Sequence, residues 1–404
     1  MGWSRSTISL KPVFGETKLK ISVVVAVGLV LLCGCAGPHR ETFDAAQAAL
    51  AQPAGFSNIR VSPQDAGLAA RLENDLRNGL RTNPSAEISI LSLSGGGADG
   101  AFGIGVLTGW SERGDRPQFS VVTGVSTGAL IAPFAYLGSS YDAQLKEAYL
   151  GEGASNLLKS KGLGAFFSPG AYSSEGLKAR VAKYVSIQMV EDIADENSKG
   201  RRLQIGTTNL DSQTGVIWDL GAIASQGVAQ GPAGKVRARD LIREILVASA
   251  SIPGAFAPAF IPASFAQDGA SHVLQEMHAD GSVTMPLFIL PESMLTWQVP
   301  PDVALNARLY VLINGNINPR FTFTKYGAVD IITRSIDTLA RAQARATLFG
   351  IQAFSTRNGF KVSVASLPDD FTGGGLMAFD SNSMKRVYDK GYSLALSGIV
   401  FQDK

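Results

Sequence analysis

From about residue 87 onward, apolar and polar residues alternate between short strand-like runs and longer helical patterns. Short apolar runs bounded by glycine or polar residues are typical of buried strands, and four such runs are EISILSLS, FSVVTGV, RRLQIGTTNL and ARLYVLINGNI. Apolar residues at helical spacing predict helices in DLIREILVASASI, AVDIITRSIDTLARAQARATLFGI and SMKRVYDKGYSLALSGI. Strands that alternate with helices predict an α/β sandwich on a largely parallel sheet.

The segment before this body has a different pattern. Residues 1–34 combine basic residues with an apolar run of about a dozen residues, long enough for a secretion signal and too short for a spanning helix of about 20. The run ends in LCGC, Leu32 to Cys35, which resembles a bacterial lipobox, where cleavage before the cysteine leaves a lipid on its sulfur. The resemblance implies a lipidated Cys35 as the mature N-terminus. An ordinary signal peptide cut near Ala36 is the alternative.

Residues 35–84 are rich in Ala, Gln, Asn and Pro, and they predict a lipid-anchored tether. The tether contains one helix signal, SPQDAGLAARLENDLRNGL, in which Ser62 is the expected N-cap and leucines follow at helical spacing. No internal repeat or long low-complexity run divides the remainder. Residues 85–404 are therefore predicted to form one domain.

Composition and charge narrow the class of protein. With 404 residues and 45% hydrophobic content, the chain can bury a sizeable core and is not predicted to be disordered. The formal net charge is +2, but residues 1–34 hold four basic residues and one acidic residue, so the remainder is slightly negative. A near-neutral body without a long basic run gives no electrostatic reason to expect nucleic acid as a partner.

A run of glycines follows the first strand, in LSLSGGGADGAFGIG. A glycine-rich turn between a strand and a helix N-terminus leaves N–H groups unpaired and aligned with the helix dipole, so it can hold an anion. The bound group could be a nucleotide phosphate, because Gly95, Gly97 and Gly100 fit the pattern G-x-G-x-x-G. It could also be a transient oxyanion held by Gly95, Gly96, Gly97 and Gly100, or the turn could be structural and bind nothing.

The second strand ends in TGVSTGAL, which decides between the two ligands. Ser126 lies between Gly124 and Gly128, and G-x-S-x-G between a strand and a helix is typical of a nucleophile elbow. A dinucleotide site would instead need an Asp or Glu at the end of this strand to bind the ribose. We therefore interpret the glycine turn as an oxyanion hole for a reaction at Ser126.

A serine nucleophile needs a base, and the three histidines are poor candidates. His39 lies in the tether, His272 lies in the polar, loop-like stretch QDGASHVLQE, and no histidine follows His278. By contrast, Asp280 follows a short strand-like stretch and enters a turn at Gly281. A carboxylate that is close to the hydroxyl and partly desolvated can act as the base. The sequence thus predicts a Ser126–Asp280 dyad, with His278 expected to be a bystander.

Taken in order along the chain, these motifs resemble the patatin-like phospholipase family of Ser–Asp acyl hydrolases. The residues that carry the resemblance are LSLSGGGADGAFGIGVL, TGVSTGAL, ASASIPGAFAP and ADGSVTMPL, with IGTTNLDSQTGVIWDLG and FDSNSMKRVYDKGYSLA similar to further family blocks. The resemblance implies a three-layer α/β/α sandwich, a nucleophile at Ser126, a base at Asp280 and an oxyanion hole at Gly95 to Gly97. It also implies hydrolysis of lipid acyl esters without metal or cofactor.

Two residues depart from the family pattern. Asp99 stands where the family usually has Arg or Lys, and a carboxylate facing a phosphorylated substrate would repel it. Asp99 could instead be a helix N-terminal acid that interacts with the dipole. Ser282 replaces the more common Gly or Ala, which is a small change.

These observations predict a lipid-anchored serine hydrolase of a bacterial cell envelope, with a membrane lipid or other acyl ester as substrate. Ala36, directly after Cys35, favours the outer membrane over retention in the inner one. The alternative is an inactive protein of the same fold that binds a lipid or a protein partner. The sequence does not indicate which protein that partner would be.

Overall fold

The computed structural model describes residues 40–65, 88–151, 168–289 and 307–403, with a few isolated positions besides. The predicted signal segment, Cys35 and most of the predicted tether helix lie outside the described residues. Within the described ranges, no helix is both long and apolar enough to cross a membrane.

One mixed sheet forms the centre of the protein, and its strands are β1 (Arg60–Val61), β2 (Ile88–Leu93), β3 (Val121–Val125), β4 (Arg202–Asn209), β5 (Thr214–Asp219), β6 (Ala259–Gln267), β7 (Ala270–Asp280), β8 (Ala307–Ile313), β9 (Lys361–Ser366) and β10 (Gln402–Asp403). The order across the sheet is β1-β5-β4-β3-β2-β8-β9-β10. Strands β4, β3, β2, β8 and β9 are parallel to one another, while β1, β5 and β10 pair antiparallel at the two edges.

Helices cover both faces of this sheet, and those in the described ranges are α1 (Ala45–Leu50), α2 (Gly100–Arg113), α3 (Thr127–Leu137), α4 (Asp142–Leu150), α5 (Glu175–Tyr184), α6 (Ile187–Ser198), α7 (Leu220–Ala229), α8 (Gly231–Ser249), α9 (Ala328–Asn358) and α10 (Ser381–Leu396). Alternate residues of β2 belong to different cores, because successive side chains of a strand point to opposite faces. Leu91 and Leu93 join the core that contains α2 and α10, whereas Ile88 and Ile90 join the core that contains α9. The predicted three-layer α/β/α sandwich with a largely parallel sheet is confirmed.

The stretch around His272 is not a loop, contrary to the sequence prediction. It belongs to a long hairpin in which β6 and β7 pair along their whole length. Asp268 and Gly269 form the two-residue turn, and both have positive φ, as tight hairpin turns require. Polar residues along an exposed hairpin resemble a loop in composition, which explains the error. The last residues of β7 pair with β4, so the hairpin is joined to the main sheet through β4.

Part of the segment predicted as a tether packs on the body. Strand β1 extends the sheet by pairing with β5, and Ala51 is buried in a small core with residues of the hairpin. Arg60 forms a largely buried ion pair with Glu276 of β7 and also donates to the carbonyl of Ala51. This ion pair connects the N-terminal strand to the strand that ends at Asp280.

We expect Arg60→Ala to lower the free energy of unfolding by about 3 kcal/mol or more, because it leaves the Glu276 carboxylate buried without its cation. Urea unfolding at neutral pH measures the change. Lys183→Ala is the control, since it removes an ion pair with Glu147 that is exposed on both sides, and it should change stability little. Equal, small losses in the two variants would contradict the structural role given to Arg60.

Candidate active site

Two strand ends meet at one edge of β4. Strand β4 pairs with β3 up to the register Val125 to Gly206, and from Thr207 onward it pairs with β7, with Thr207 opposite Asp280. The residue after β3 and the last residue of β7 are therefore brought face to face. The Ser126 hydroxyl donates a hydrogen bond to Oδ2 of Asp280 at 2.6 Å, and both residues are buried.

Ser126 lies in a sharp turn between β3 and α3. Its φ of 56° is uncommon for a residue with a side chain, and such strain is often found at functional sites. The flanking glycines are needed for close approach: a Cβ on Gly124 would lie 2.5 Å from the Gly128 carbonyl oxygen, and one on Gly128 would lie 2.2 Å from the Leu93 carbonyl oxygen. The turn therefore fits directly against the end of β2.

Ser249, the last residue of α8, holds this turn in place. Its hydroxyl accepts a hydrogen bond from the Ser126 N–H at 3.0 Å and donates one to the Gly206 carbonyl at 2.7 Å. Ser249 is fully buried, so these bonds satisfy groups that have no access to water. The sequence analysis missed this residue, although it lies in ASASIPGAFAP, one of the stretches that resemble the family.

The Asp280 carboxylate is held by hydrogen bonds at both oxygens. Oδ2 faces Ser126, and Oδ1 accepts the N–H of Ser282 at 2.8 Å. Burial raises the pKa of Asp280 to about 6, although the hydrogen bonds from Ser126 and Ser282 act to lower it. The carboxylate is thus ionised at neutral pH but has a higher proton affinity than an exposed aspartate.

The glycine turn lies beside the serine, between β2 and α2. Gly95 donates its N–H to the Pro286 carbonyl at 3.2 Å, and Gly100 donates its own to the Gly97 carbonyl. Among the described residues, nothing accepts a hydrogen bond from the N–H of Gly96 or of Gly97. Of the four glycines predicted to form the oxyanion hole, only these two hold N–H groups that are free to bind an anion.

Neighbouring groups fix the conformation of this turn. Gly97 has a φ of +56°, and a Cβ there would lie 2.0 Å from the Leu376 carbonyl oxygen. Asn314, just after β8, donates its N–H and its side-chain amide to Ser94 and accepts the N–H of Gly103. The sequence analysis did not single out Asn314, although a polar residue at the carboxyl end of a parallel strand is a signal of a site.

Two cavities flank Ser126. One encloses about 750 Å³, open solvent included, and its lining contains Asp280, Gly95 and Gly96. The other encloses about 810 Å³, open solvent included, and its lining is mainly apolar, with Gly97, Leu130, Phe134, Val181, Leu246 and Phe256 among its residues. A substrate whose reacting carbon lies at Ser126 could therefore extend into two cavities, one with an almost wholly apolar lining and the other lined by both apolar and polar residues.

The histidines do not contact the dyad in the described part of the chain. The His278 ring lies 3.0 Å from the Thr207 hydroxyl and 3.3 Å from the Glu276 carboxylate, and it packs against Trp218. Burial lowers the pKa of His278. His272 stacks on Phe265 in the hairpin, and His39 lies outside the described residues.

Asp99 is not an exposed acid, although it is among the residues that line an open cavity with Arg341 and Leu376, and its side chain does not cap the helix that it precedes. It is buried, and its Oδ1 accepts the N–H of Gly375 at 2.6 Å. Burial raises the pKa of Asp99 to about 6, while the hydrogen bond from Gly375 and the charge of Arg341 act to lower it. Its observed role is to bind the glycine loop that precedes Leu376.

Comparisons with known proteins identify a family for this chain. No curated protein sequence matches the chain. Among solved structures, that of VipD from Legionella pneumophila is similar, with 12% identity, a TM-score of 0.36 and coverage of 79% of this chain and 68% of VipD. That degree of similarity is too low to carry a functional conclusion. The family model described as patatin-like phospholipase matches residues 91–291, about half of the chain, and this span contains Ser126, Asp280 and the glycine turn. The chain belongs, through residues 91–291, to the patatin-like phospholipase family, and this membership supports lipid acyl hydrolase activity.

Proposed function

We propose that this protein is a serine acyl hydrolase that cleaves fatty acyl esters of lipids with a Ser126–Asp280 dyad. The observation that carries the proposal is the 2.6 Å hydrogen bond from the Ser126 hydroxyl to a buried carboxylate of raised pKa. A serine hydroxyl is a weak nucleophile unless a base is positioned to remove its proton. Asp280 is the group within reach of that proton.

In the first half of the reaction, Ser126 Oγ attacks the ester carbonyl carbon while Asp280 takes the hydroxyl proton. The carbonyl oxygen becomes an oxyanion, which the free N–H groups of Gly96 and Gly97 stabilise. Collapse of this intermediate breaks the bond to the alcohol, which leaves with the proton from Asp280. The fatty acyl group then remains as an ester on Ser126.

In the second half, Asp280 removes a proton from a water molecule that attacks the acyl-enzyme. The same N–H groups bind the second oxyanion, and collapse releases the fatty acid and returns the proton to Ser126 Oγ. The charge that develops is matched by backbone N–H groups, so this mechanism needs no metal or cofactor. It also gives no role to His278.

The two cavities suggest how a lipid ester binds. The apolar cavity that begins at Ser126 and Gly97 suits a fatty acyl chain, because burying methylene groups is favourable and requires no polar partners. The cavity that contains Asp280 also contains Asn316 and Arg341, and it would hold the alcohol part of the substrate. This assignment places the scissile bond between an apolar cavity and a cavity of mixed lining that contains charged and amide side chains.

The sequence of the N-terminal residues supports a proposal for the cellular location of the protein. We propose that residues 1–34 are a lipoprotein signal peptide, that Cys35 carries the lipid and that residues 35–84 connect this anchor to the hydrolase domain at 85–404. The protein would then be held on a bacterial envelope membrane, with the outer membrane expected from Ala36. Such an anchor would keep the domain next to lipid esters.

The alternative of an inactive lipid-binding protein has less support. A protein that only binds lipid has no need for a buried aspartate in contact with a serine, because burying a carboxylate costs free energy. The strained turn at Ser126 likewise has a cost that a passive site would not require.

A fluorophosphonate probe tests the nucleophile. We expect the wild type to be labelled and Ser126→Ala to be unlabelled, because the probe reacts only with an activated serine. Asp280→Asn should lower hydrolysis of a short soluble ester by about as much as Ser126→Ala, since members of one catalytic unit do not contribute additively.

His278→Gln is the matched control for this experiment, because it changes a buried polar residue two positions from Asp280 on the same strand. Its turnover should fall much less than that of Asp280→Asn. Circular dichroism must show that all three variants are folded. If the folded His278→Gln variant were as inactive as Ser126→Ala, the mechanism would have to include the histidine.

The rate should also depend on pH through Asp280. The reaction requires the deprotonated carboxylate, so kcat/KM should be nearly constant above about pH 7 and fall about tenfold per unit below the pKa of about 6. Hydrolysis of a soluble ester between about pH 4.5 and about pH 8 gives this profile. Asp99 has a similar pKa, so Asp99→Asn is the control and should keep the same midpoint. If the midpoint disappeared in Asp99→Asn, the titrating group would be Asp99 and not Asp280.

A further inference from the structure

The chain between β8 and α9 exposes large aromatic side chains. Phe321 is 95% exposed, Phe323 is 83% exposed and Tyr326 is fully exposed. Ile331 and Ile332, at the start of α9, are also exposed. Single exposed apolar residues are ordinary, but a group of them within one short segment marks a surface that binds something. We call residues 318–334 the aromatic segment.

Hydrogen bonds fix the backbone of the aromatic segment at its two ends. Arg334 donates to the Arg320 carbonyl at 2.7 Å, and Arg320 donates to the Gly373 carbonyl at 3.0 Å. Asn318 donates to the Asp369 carboxylate at 2.7 Å. The aromatic side chains are thus presented to solvent by a backbone that is tied to the body.

The aromatic segment borders the candidate active site. Phe321 and Phe323 line an open cavity together with Asn316, Arg341 and Leu376. Those last three residues also line the cavity that contains Ser126 and Asp280. The open cavity therefore adjoins the one that contains the dyad, and we call it the opening of the site; the exposed aromatic rings lie beside it.

The charges of the aromatic segment identify the kind of surface that it fits. It contains three basic residues, Arg320, Lys325 and Arg334, and one acidic residue, Asp330. Arg334 forms an ion pair with Asp337 of α9, so Arg320 and Lys325 are the cations that lie beside the exposed aromatic rings and could contact an anionic surface. Aromatic rings between basic groups are typical of segments that lie at the interface of a membrane, with the rings among the headgroups and the cations next to anionic lipids.

We propose that the aromatic segment docks on an anionic lipid surface, with Phe321, Phe323 and Tyr326 inserted at the level of the headgroups. Docking turns the opening of the active site toward the lipid layer, so that a substrate can move into the site without crossing bulk water. The orientation toward substrate rests on the proposed hydrolase function, but the docking itself does not. A protein partner could bind the exposed aromatic rings without the neighbouring basic residues and without their position beside the opening of the site, whereas a lipid surface makes use of both.

Two substitutions that each add one tryptophan to the four of the native sequence test the docking. Both are made in the full chain with Cys35→Ser, so that no lipid is attached at residue 35, and the emission of the Cys35→Ser parent is subtracted from that of each variant. Phe323→Trp reports on the aromatic segment. Ile399→Trp is the control, since Ile399 is also exposed. Ile399 lies just after α10, and the Ala395 carbonyl of α10 accepts a hydrogen bond from Arg113. Arg113 is the last residue of α2, and the glycine turn lies at the other end of that helix, about 21 Å away.

Vesicles of phosphatidylcholine with about 30% phosphatidylglycerol should shift the emission of Phe323→Trp to the blue, and brominated lipid should quench it. The shift should be smaller with phosphatidylcholine alone, and Ile399→Trp should respond to neither vesicle. An unresponsive Phe323→Trp on vesicle-bound protein would overturn the proposal, as would equal responses at the two positions. An unresponsive reporter is also the result expected if the segment binds a protein partner.

Activity gives the second measurement. The triple variant Phe321→Ser, Phe323→Ser, Tyr326→Ser should hydrolyse vesicle phospholipid at least about tenfold more slowly than Ile399→Ser, while the two hydrolyse a short soluble ester at rates within about twofold. Equal vesicle rates would overturn the docking proposal. If the wild type hydrolysed neither substrate, the proposed function would fail, and the tryptophan reporters would still decide whether the aromatic segment docks.

Discussion

The candidate active site depends on the fact that β4 is longer than β3. The first part of β4 pairs with β3, and its last residues, from Thr207, pair with β7 on the same side. One strand therefore aligns the end of β3 with the end of β7. Backbone hydrogen bonds of the sheet, rather than flexible side chains, thus position Ser126 next to Asp280. The 2.6 Å contact between the two side chains follows from this register. A slip of one residue would turn Asp280 to the other face of the hairpin.

Around that contact, the structure uses buried polar groups in two different ways. Asp280 is a buried carboxylate that faces a hydroxyl, and its raised pKa makes it a suitable base. Asp99 is a buried carboxylate of similar pKa, but it binds the Gly375 N–H and so holds the loop before Leu376 against the glycine turn. Burial alone therefore does not distinguish the proposed catalytic base from a structural carboxylate. The group that each carboxylate faces distinguishes the two roles.

The sequence predicted the parts of the site that come from local patterns. Strand-like runs and the glycine spacing around Ser126 depend on neighbouring residues, so they can be read from the chain. Asp280 could be proposed because it follows a strand and precedes a glycine. The pairing of β7 with β4 could not be predicted, because it joins residues about 70 positions apart.

Other features of the site also depend on distant contacts. Ser249 and Asn314 act through hydrogen bonds to backbone groups more than 100 residues away, which no local pattern reveals. Gly95 fits the oxyanion motif as well as its neighbours do, yet its N–H is already bonded to Pro286. The long hairpin was missed because its polar, exposed strands have the composition of a loop. Tertiary contacts thus decide which members of a motif are free to act.

The structure of the covalent fluorophosphonate adduct is the most direct test of the proposed mechanism, because the phosphonyl group stands in for the tetrahedral intermediate. We expect a bond from phosphorus to Ser126 Oγ, with the phosphonyl oxygen about 3 Å from the N–H groups of both Gly96 and Gly97. Asp280 should remain next to Ser126. A label on another residue, or a phosphonyl oxygen that points away from both glycines, would rule out the proposed mechanism.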